Sequence, residues 1–323
     1  MASPEIEPPK RPVRAITPAM MISCCNLRAP REGQTDKFLK KLTHLNLNDK
    51  KLASMEGIQA CKALKNLYLY NNKITSIANL KGFKNLTHLY LENNSISTIE
   101  NLPTSSLQKL YINENDLDVI DNLQDCKCLA ELHVASQRLP PATPLRFSSA
   151  VLENIAHTLT VLNIANNYID TVVDVLSLPG LRKLNISKNR ISNMDMALAL
   201  MQLQDLQDLD MRGNPVTGMA KYMENLVANS PQFLEKLDGK EVVQNHRDML
   251  KNLVAFKSRG MRRDDGMDGM MIGDATGGGM GMDMGMTGTG MMGGGGGFGS
   301  PDNGDWGAEG GEGVMDFVDG GFR

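Results

Sequence analysis

Eight times along this chain an apolar pattern recurs, of the form Leu-x-x-Leu-x-Leu-x-x-Asn-x-Leu with Ile, Val or Met admitted at the apolar places. The copies begin at Leu42, Leu64, Leu86, Leu107, Leu129, Leu159, Leu181 and Leu206, in steps of 22, 22, 21, 22, 30, 22 and 25 residues. A unit this short cannot bury its own apolar side. It must stack on its neighbours, so the period predicts a solenoid with one short strand per coil.

Within the second copy Leu64, Leu67, Leu69, Ile74, Ile77, Leu80 and Phe83 hold the apolar places, and the third copy repeats them from Leu86 to Leu102. Side chains alternate along a strand, so Leu67 and Leu69 turn inward while the residues flanking Leu67 turn outward. The returning residues are spaced like short helical turns. The predicted fold is an α/β solenoid: a leucine-rich repeat horseshoe with a parallel concave sheet, short helices or 3-10 turns on the convex side, and a helical C-terminal cap. Asn72, Asn94, Asn115, Asn167, Asn189 and Asn214 recur once per coil, where an amide can serve backbone groups leaving the strand. A repeated structural need accounts for them without catalysis.

Both ends of such a stack need covers. Lys37 to Lys41 is expected in an N-terminal helical lid, and the apolar spacing from Tyr222 to Leu237 in a closing helix. A further helix is expected from Val242 to about Phe256. The long step after Leu129 holds Arg138-Leu139-Pro140-Pro141 and a helical stretch from Phe147 to His157, an excursion expected to protrude, closing a gap or touching a partner. The organisation read from these signals is a flexible segment 1–30, the repeat domain with its caps 31–240, a C-terminal helix 241–263, and a disordered tail 264–323. That tail has 23 glycines, ten methionines and eleven carboxylates against one arginine. Its charge of −10 leaves the preceding 263 residues at +7. The basic body favours acidic partners.

No apolar run is long enough to cross a bilayer, and no secretory leader opens the chain, so membrane insertion is not expected. Five cysteines without a paired framework imply reduced thiols, and Cys126-Lys127-Cys128 lacks the second ligand pair of a zinc site. GxxxxGK[ST], HExxH and calcium-loop motifs are missing, and no nucleophile with an orienting partner stands out. The chain reads as noncatalytic, without cofactor or metal.

The sharpest functional signal is on the outward strand positions. The column between the second and third apolar residues reads Asn46, Tyr68, Tyr90, Tyr111, His133, Asn163, Asn185 and Asp210. Two residues later come Tyr70, Glu92, Asn113, Ala135, Ala165, Ser187 and Arg212, and two residues earlier Asn66, His88, Lys109 and Glu131. Tyrosine brings rigid apolar area with a polar tip, which suits a docking patch. The candidate protein-binding face is therefore Asn66, Tyr68, Tyr70, His88, Tyr90, Glu92, Lys109, Tyr111, Asn113, Glu131 and His133, with the aromatic run ending at Tyr111. Basic residues are dispersed and the acidic tail repels phosphate, so nucleic acid is not the expected partner.

The repeat type, with the closing stretch from Asn214-Pro215-Val216 to Leu237-Asp238-Gly239-Lys240-Glu241, resembles the Sds22-like regulators of protein phosphatase 1. The resemblance covers roughly residues 30 to 255. It implies a noncatalytic partner of the phosphatase catalytic subunit, docked on the concave face. It further implies a cytoplasmic and cytoskeletal setting at the centrosome, basal body, cilium or flagellum, with tubulin or microtubule contacts and kinesin or dynein components as further partners. The Gly/Met-rich tail departs from the family pattern, and no Arg/Lys-x-Val/Ile-x-Phe motif is present: before Val254-Ala255-Phe256, Lys251 lies too far upstream. A structural axonemal protein without phosphatase binding and an RNA–protein assembly module remain alternatives.

Overall fold

The structure, a computed structural model, describes residues 15–25 and 27–264, with side chains through residue 256. The predicted disordered tail lies outside the described residues from 265 onward, as do residues 1–14 of the predicted flexible segment.

Eight three-residue strands come from the eight repeats: β1 (His44–Asn46), β2 (Asn66–Tyr68), β3 (His88–Tyr90), β4 (Lys109–Tyr111), β6 (Glu131–His133), β8 (Val161–Asn163), β9 (Lys183–Asn185) and β10 (Asp208–Asp210). They pair in parallel in that order, each middle leucine level with the next, from Leu45 and Leu67 to Leu184 and Leu209. These leucines are at most 1% exposed. A single slip in register would turn the whole set into water, which is why the alignment is strict. β11 (Lys236–Leu237) adds a ninth parallel strand, and β12 (Lys240–Glu241) folds back antiparallel on it through Asp238 and Gly239, both at positive φ. That two-residue turn matches the twist of a hairpin, and the charged β12 ends the sheet.

The asparagine column behaves as expected of a backbone bracket. Asn94 Nδ2 donates to the carbonyls of Leu69, Leu91 and Glu92, while its Oδ1 accepts from Ile74 N. Asn72, Asn115, Asn167, Asn189 and Asn214 each donate in the same way to a carbonyl of the preceding coil. Gln137 fills the place in the fifth coil: its Oε1 accepts from Leu117 N and its Nε2 donates to Ile112 O. The column is thus continuous across the long step.

The convex side is of two kinds. Gly57, Asn79, Asn101 and Asn122 fall at the same place in the first four coils, and all have positive φ. A left-handed residue stops a helix from continuing. Those coils accordingly return through turns, with only a 3-10 helix at Ile58–Ala60 in the first. Asn101 Nδ2 and Asn122 Nδ2 each donate to a carbonyl of the preceding coil, Ile77 O and Ile99 O. The fifth, sixth and seventh coils have no left-handed residue at that place and carry α3 (Ser149–Ile155), α4 (Val173–Leu176) and α5 (Met194–Leu200), while in the eighth the left-handed Lys221 directly precedes a helix.

The excursion after Leu129 packs instead of protruding. Leu145 is buried, β7 (Arg146–Phe147) pairs in parallel with β5 (Val119–Ile120), and α3 buries Val151, Leu152 and Ile155. Its apolar residues have a coil surface to cover, so the chain is stitched down. At the N-terminal end α1 (Pro18–Ser23) precedes the expected lid, which is α2 (Thr35–Leu39). Thr17 Oγ1 caps α1 by accepting from Met20 N, and Met21 is fully buried against Cys61. Residues 16–21, read as part of a flexible stretch, therefore belong to the cap. At the other end a 3-10 turn (Pro215–Gly218) leads to α6 (Tyr222–Asn229), which buries Leu226 and Val227, and α7 (Gln244–Asp264) follows the hairpin. Arg247 on α7 is 2% exposed. Its guanidinium donates to Ser230 Oγ, Gln244 Oε1 and the carbonyls of Gln232 and Leu234, which ties α7 to the cap.

Candidate functional site: an aromatic wall on the concave face

The parallel register puts Tyr68, Tyr90, Tyr111 and His133 in adjacent strands at one level. Strand spacing in a sheet is close to aromatic stacking distance, so equivalent rings meet. Centroids lie 4.5 Å apart for Tyr68–Tyr90, 4.7 Å for Tyr90–Tyr111 and 4.3 Å for Tyr111–His133, with planes 13–14° apart. The aromatic run therefore continues one rung past Tyr111, because the imidazole of His133 is flat and keeps the register. Each inner ring has both faces covered by its neighbours. Edges and hydroxyls are what this wall offers a partner.

All eleven candidate residues lie on this face, and each is half-buried. Lys109 Nζ bridges to Glu131 Oε1 at 2.8 Å, and Tyr111 OH donates to the other oxygen of the same carboxylate at 3.2 Å. Asn66 Nδ2 donates to Tyr68 OH at 3.4 Å. His88 Nδ1 lies 2.8 Å from Thr87 Oγ1, a hydroxyl that also donates to Lys65 O. Asn113 Oδ1 accepts from Ala135 N. Tyr70 sits beside Glu92 and Asp49, with burial first among the causes that raise its pKa.

Burial sets the electrostatics. It pushes the Tyr90 hydroxyl up to about 12 and Tyr111 further up, with neighbouring carboxylates reinforcing both. It brings His133 down to about 4, so the stacked imidazole is neutral near pH 7. His88 is lowered by burial and then by Lys109. Glu92 is raised to about 7, chiefly by burial, with Glu114 adding to it. Glu92 Oε2 and His133 Nε2 are buried without a protein hydrogen-bond partner.

The column changes character on either side of the rings. Asn46, Asn163, Asn185 and Asp210 each accept, through Oδ1, from the backbone N–H two residues on. These side chains close their own turns, and Asn185, Ser187 and Asp210 are buried even though they lie on the concave side. Arg212 pairs with Asp210 at 2.7 Å. The aromatic segment is thus bounded by self-satisfied polar positions. Among the described residues no group of three or more His, Cys, Asp or Glu side chains is placed to hold a metal ion, and no helix is long and apolar enough to cross a membrane.

Comparison with known proteins finds the repeat itself. The family model for leucine-rich repeats in two copies matches residues 62–104, the second and third coils. A leucine-rich repeat protein of Leptospira interrogans is similar at 22% identity over 64% of this chain and 57% of that one, with a TM-score of 0.49. This chain therefore spans little more than half the length of that protein. Internalin C2 from Listeria monocytogenes is similar at 23% identity over 62% of this chain and 83% of that one, with a TM-score of 0.44. With ten strands in one ladder and the matched repeats inside it, the chain has the leucine-rich repeat horseshoe fold.

Proposed function

We propose that this protein is a docking scaffold that binds the catalytic subunit of protein phosphatase 1 through its concave face and targets it to cytoskeletal structures. The observation that carries the reading is the four-ring wall, which holds its ring edges and hydroxyls in place beside two polar atoms without a protein partner, Glu92 Oε2 and His133 Nε2. Rings held in place before binding lose little freedom when a partner arrives. Further support comes from sequence likeness. Asn85 to Leu91, Glu131 to Val134 with Gln137-Arg138-Leu139-Pro140, and Leu162 to Asp170 look like protein phosphatase 1 regulatory subunit 42, the testis leucine-rich repeat protein. On this reading the protein acts in the cytoplasm at microtubules, the centrosome or basal body, and the cilium or flagellum, with kinesin or dynein components as additional contacts.

The test compares purified phosphatase catalytic subunit binding to the native chain and to Tyr68→Ala/Tyr90→Ala/Tyr111→Ala. A central aromatic is worth about 2 kcal/mol, so the triple variant should bind at least about thirtyfold more weakly. Undiminished affinity in a variant with native circular dichroism removes the wall from the mechanism.

The +7 charge of residues 1–263 favours a second reading, a microtubule-associated structural protein that does not bind the phosphatase. Co-sedimentation with microtubules before and after removal of their acidic tails separates the two. An RNA-binding role draws less support, because bases stack on exposed ring faces and the inner rings have none to give.

A further inference from the structure

The C-terminal helix α7 carries a second apolar surface that is independent of the concave wall. Its inward face is anchored by Arg247 and Leu250, which are 2% and 5% exposed. On the far side Met249, Leu253 and Phe256 follow one another at the i, i+4, i+7 spacing, exposed by 57%, 48% and 79%. At about 100° per residue this line lies well round the helix from Arg247 and Leu250. The solenoid does not cover it.

Charge decides what does. The sequence of α7 holds six lysines and arginines against two aspartates. A second copy laid along the same line would bring two basic helices together, which opposes self-association. A membrane-lying helix presents a broad apolar face with aromatic residues at the water boundary, whereas this line is one side chain wide for most of its length. A narrow row of anchors at helical spacing, carried on a basic helix, is the pattern by which a helix enters an apolar groove in an acidic protein. We infer that α7 is a docking helix for an acidic partner with an apolar, helix-receiving groove, with Phe256 and Leu253 as its principal anchors.

Calcium-loaded calmodulin serves as the probe, an acidic protein with such a groove, titrated into the full-length chain by calorimetry at low and high salt. The expected result is a saturable one-to-one complex, weakened at least about tenfold by Phe256→Glu and by Leu253→Glu, and by added salt. Both positions are exposed, and native circular dichroism of each variant keeps loss of folding out of the comparison. The Tyr68/Tyr90/Tyr111 triple variant should bind the probe as the native chain does, so failure at the concave wall and failure here are distinguishable. Lack of binding by the native chain, or binding indifferent to Phe256→Glu, overturns the proposal. So does Phe256-dependent binding to phosphatidylserine vesicles with none to calmodulin, which would assign the helix to a membrane surface. A Phe256-dependent dimer in sedimentation would assign it to a second copy and overturn it equally. Binding that emerges only when residues 265–323 are removed would make the chain's own acidic segment the occupant.

Discussion

Asn94 shows how much of this fold rests on single side chains. Its amide serves three carbonyls and one N–H in a region closed to water, so Asn94→Ala leaves several buried backbone groups unpaired. Each such group costs about 1–3 kcal/mol, and the urea midpoint should drop accordingly, by more than for Ser95→Ala at the exposed next residue. Equal effects at the two positions would reduce the bracket to packing. Glu92 makes a prediction of opposite sign. Its folded pKa of about 7 lies above the value of about 4.3 in an unfolded chain. The folded state thus holds the proton more tightly, and the stability this lends is complete below about pH 4.3 and lost as pH rises through about 7. Glu92→Gln, which cannot ionise, should be more stable than the native chain at pH 8, with the advantage closing toward pH 4; urea unfolding across that range measures it. At this scale the sequence was legible wherever a need repeats, as with Asn72, Asn94 and Asn115. Gln137 was not read as a member of that column because its longer amide breaks the letter of the pattern while keeping its chemistry.

At the scale of elements, one backbone position per coil separates the first four returns from the three that follow. Gly57, Asn79, Asn101 and Asn122 are left-handed, and the coils that carry them turn back without an α-helix. The residues are visible in the sequence as glycine or asparagine at a constant offset, a cue to turns masked by the apolar spacing around it. Gly57 has a second duty. A Cβ there would stand 2.0 Å from Ile16 O, in a conformation of φ +98° that side chains rarely adopt. Gly57→Ala should therefore detach residues 16–21 from the first coil, with faster proteolysis near α1 and a lower melting temperature. Gly218→Ala, with open space about its Cβ, should do neither. Unchanged protection of α1 in Gly57→Ala would show that Ile16 has room to move. The excursion teaches the same lesson in another form: proline-rich spacing suggested protrusion, but Leu145 and α3 have apolar side chains that only the preceding and following coils can cover.

For the whole molecule, one apolar core runs the length of the stack, and each coil depends on the next for cover. Removal of residues 1–41 would uncover Leu42, Leu45 and Leu52, all at most 3% exposed. The truncated chain should show concentration-dependent light scattering and a lower unfolding midpoint, whereas a soluble monomer of native stability would mean that α1 and α2 are not a cap. Sequence alone determined the coil period, the inward leucines, the asparagine column and the level at which Tyr68, Tyr90 and Tyr111 stand. These follow from local alternation repeated at a constant step, and a repeat carries its register with it. Tertiary structure alone decided that the rings stack face to face with His133 among them, that Glu92 is held above its ordinary pKa, that Gly57 must admit Ile16, and that Arg247 is buried among carbonyls while Phe256 is not. Those outcomes depend on contacts between residues with no periodic relation in the chain, and such contacts are settled by packing, burial and competition for hydrogen bonds.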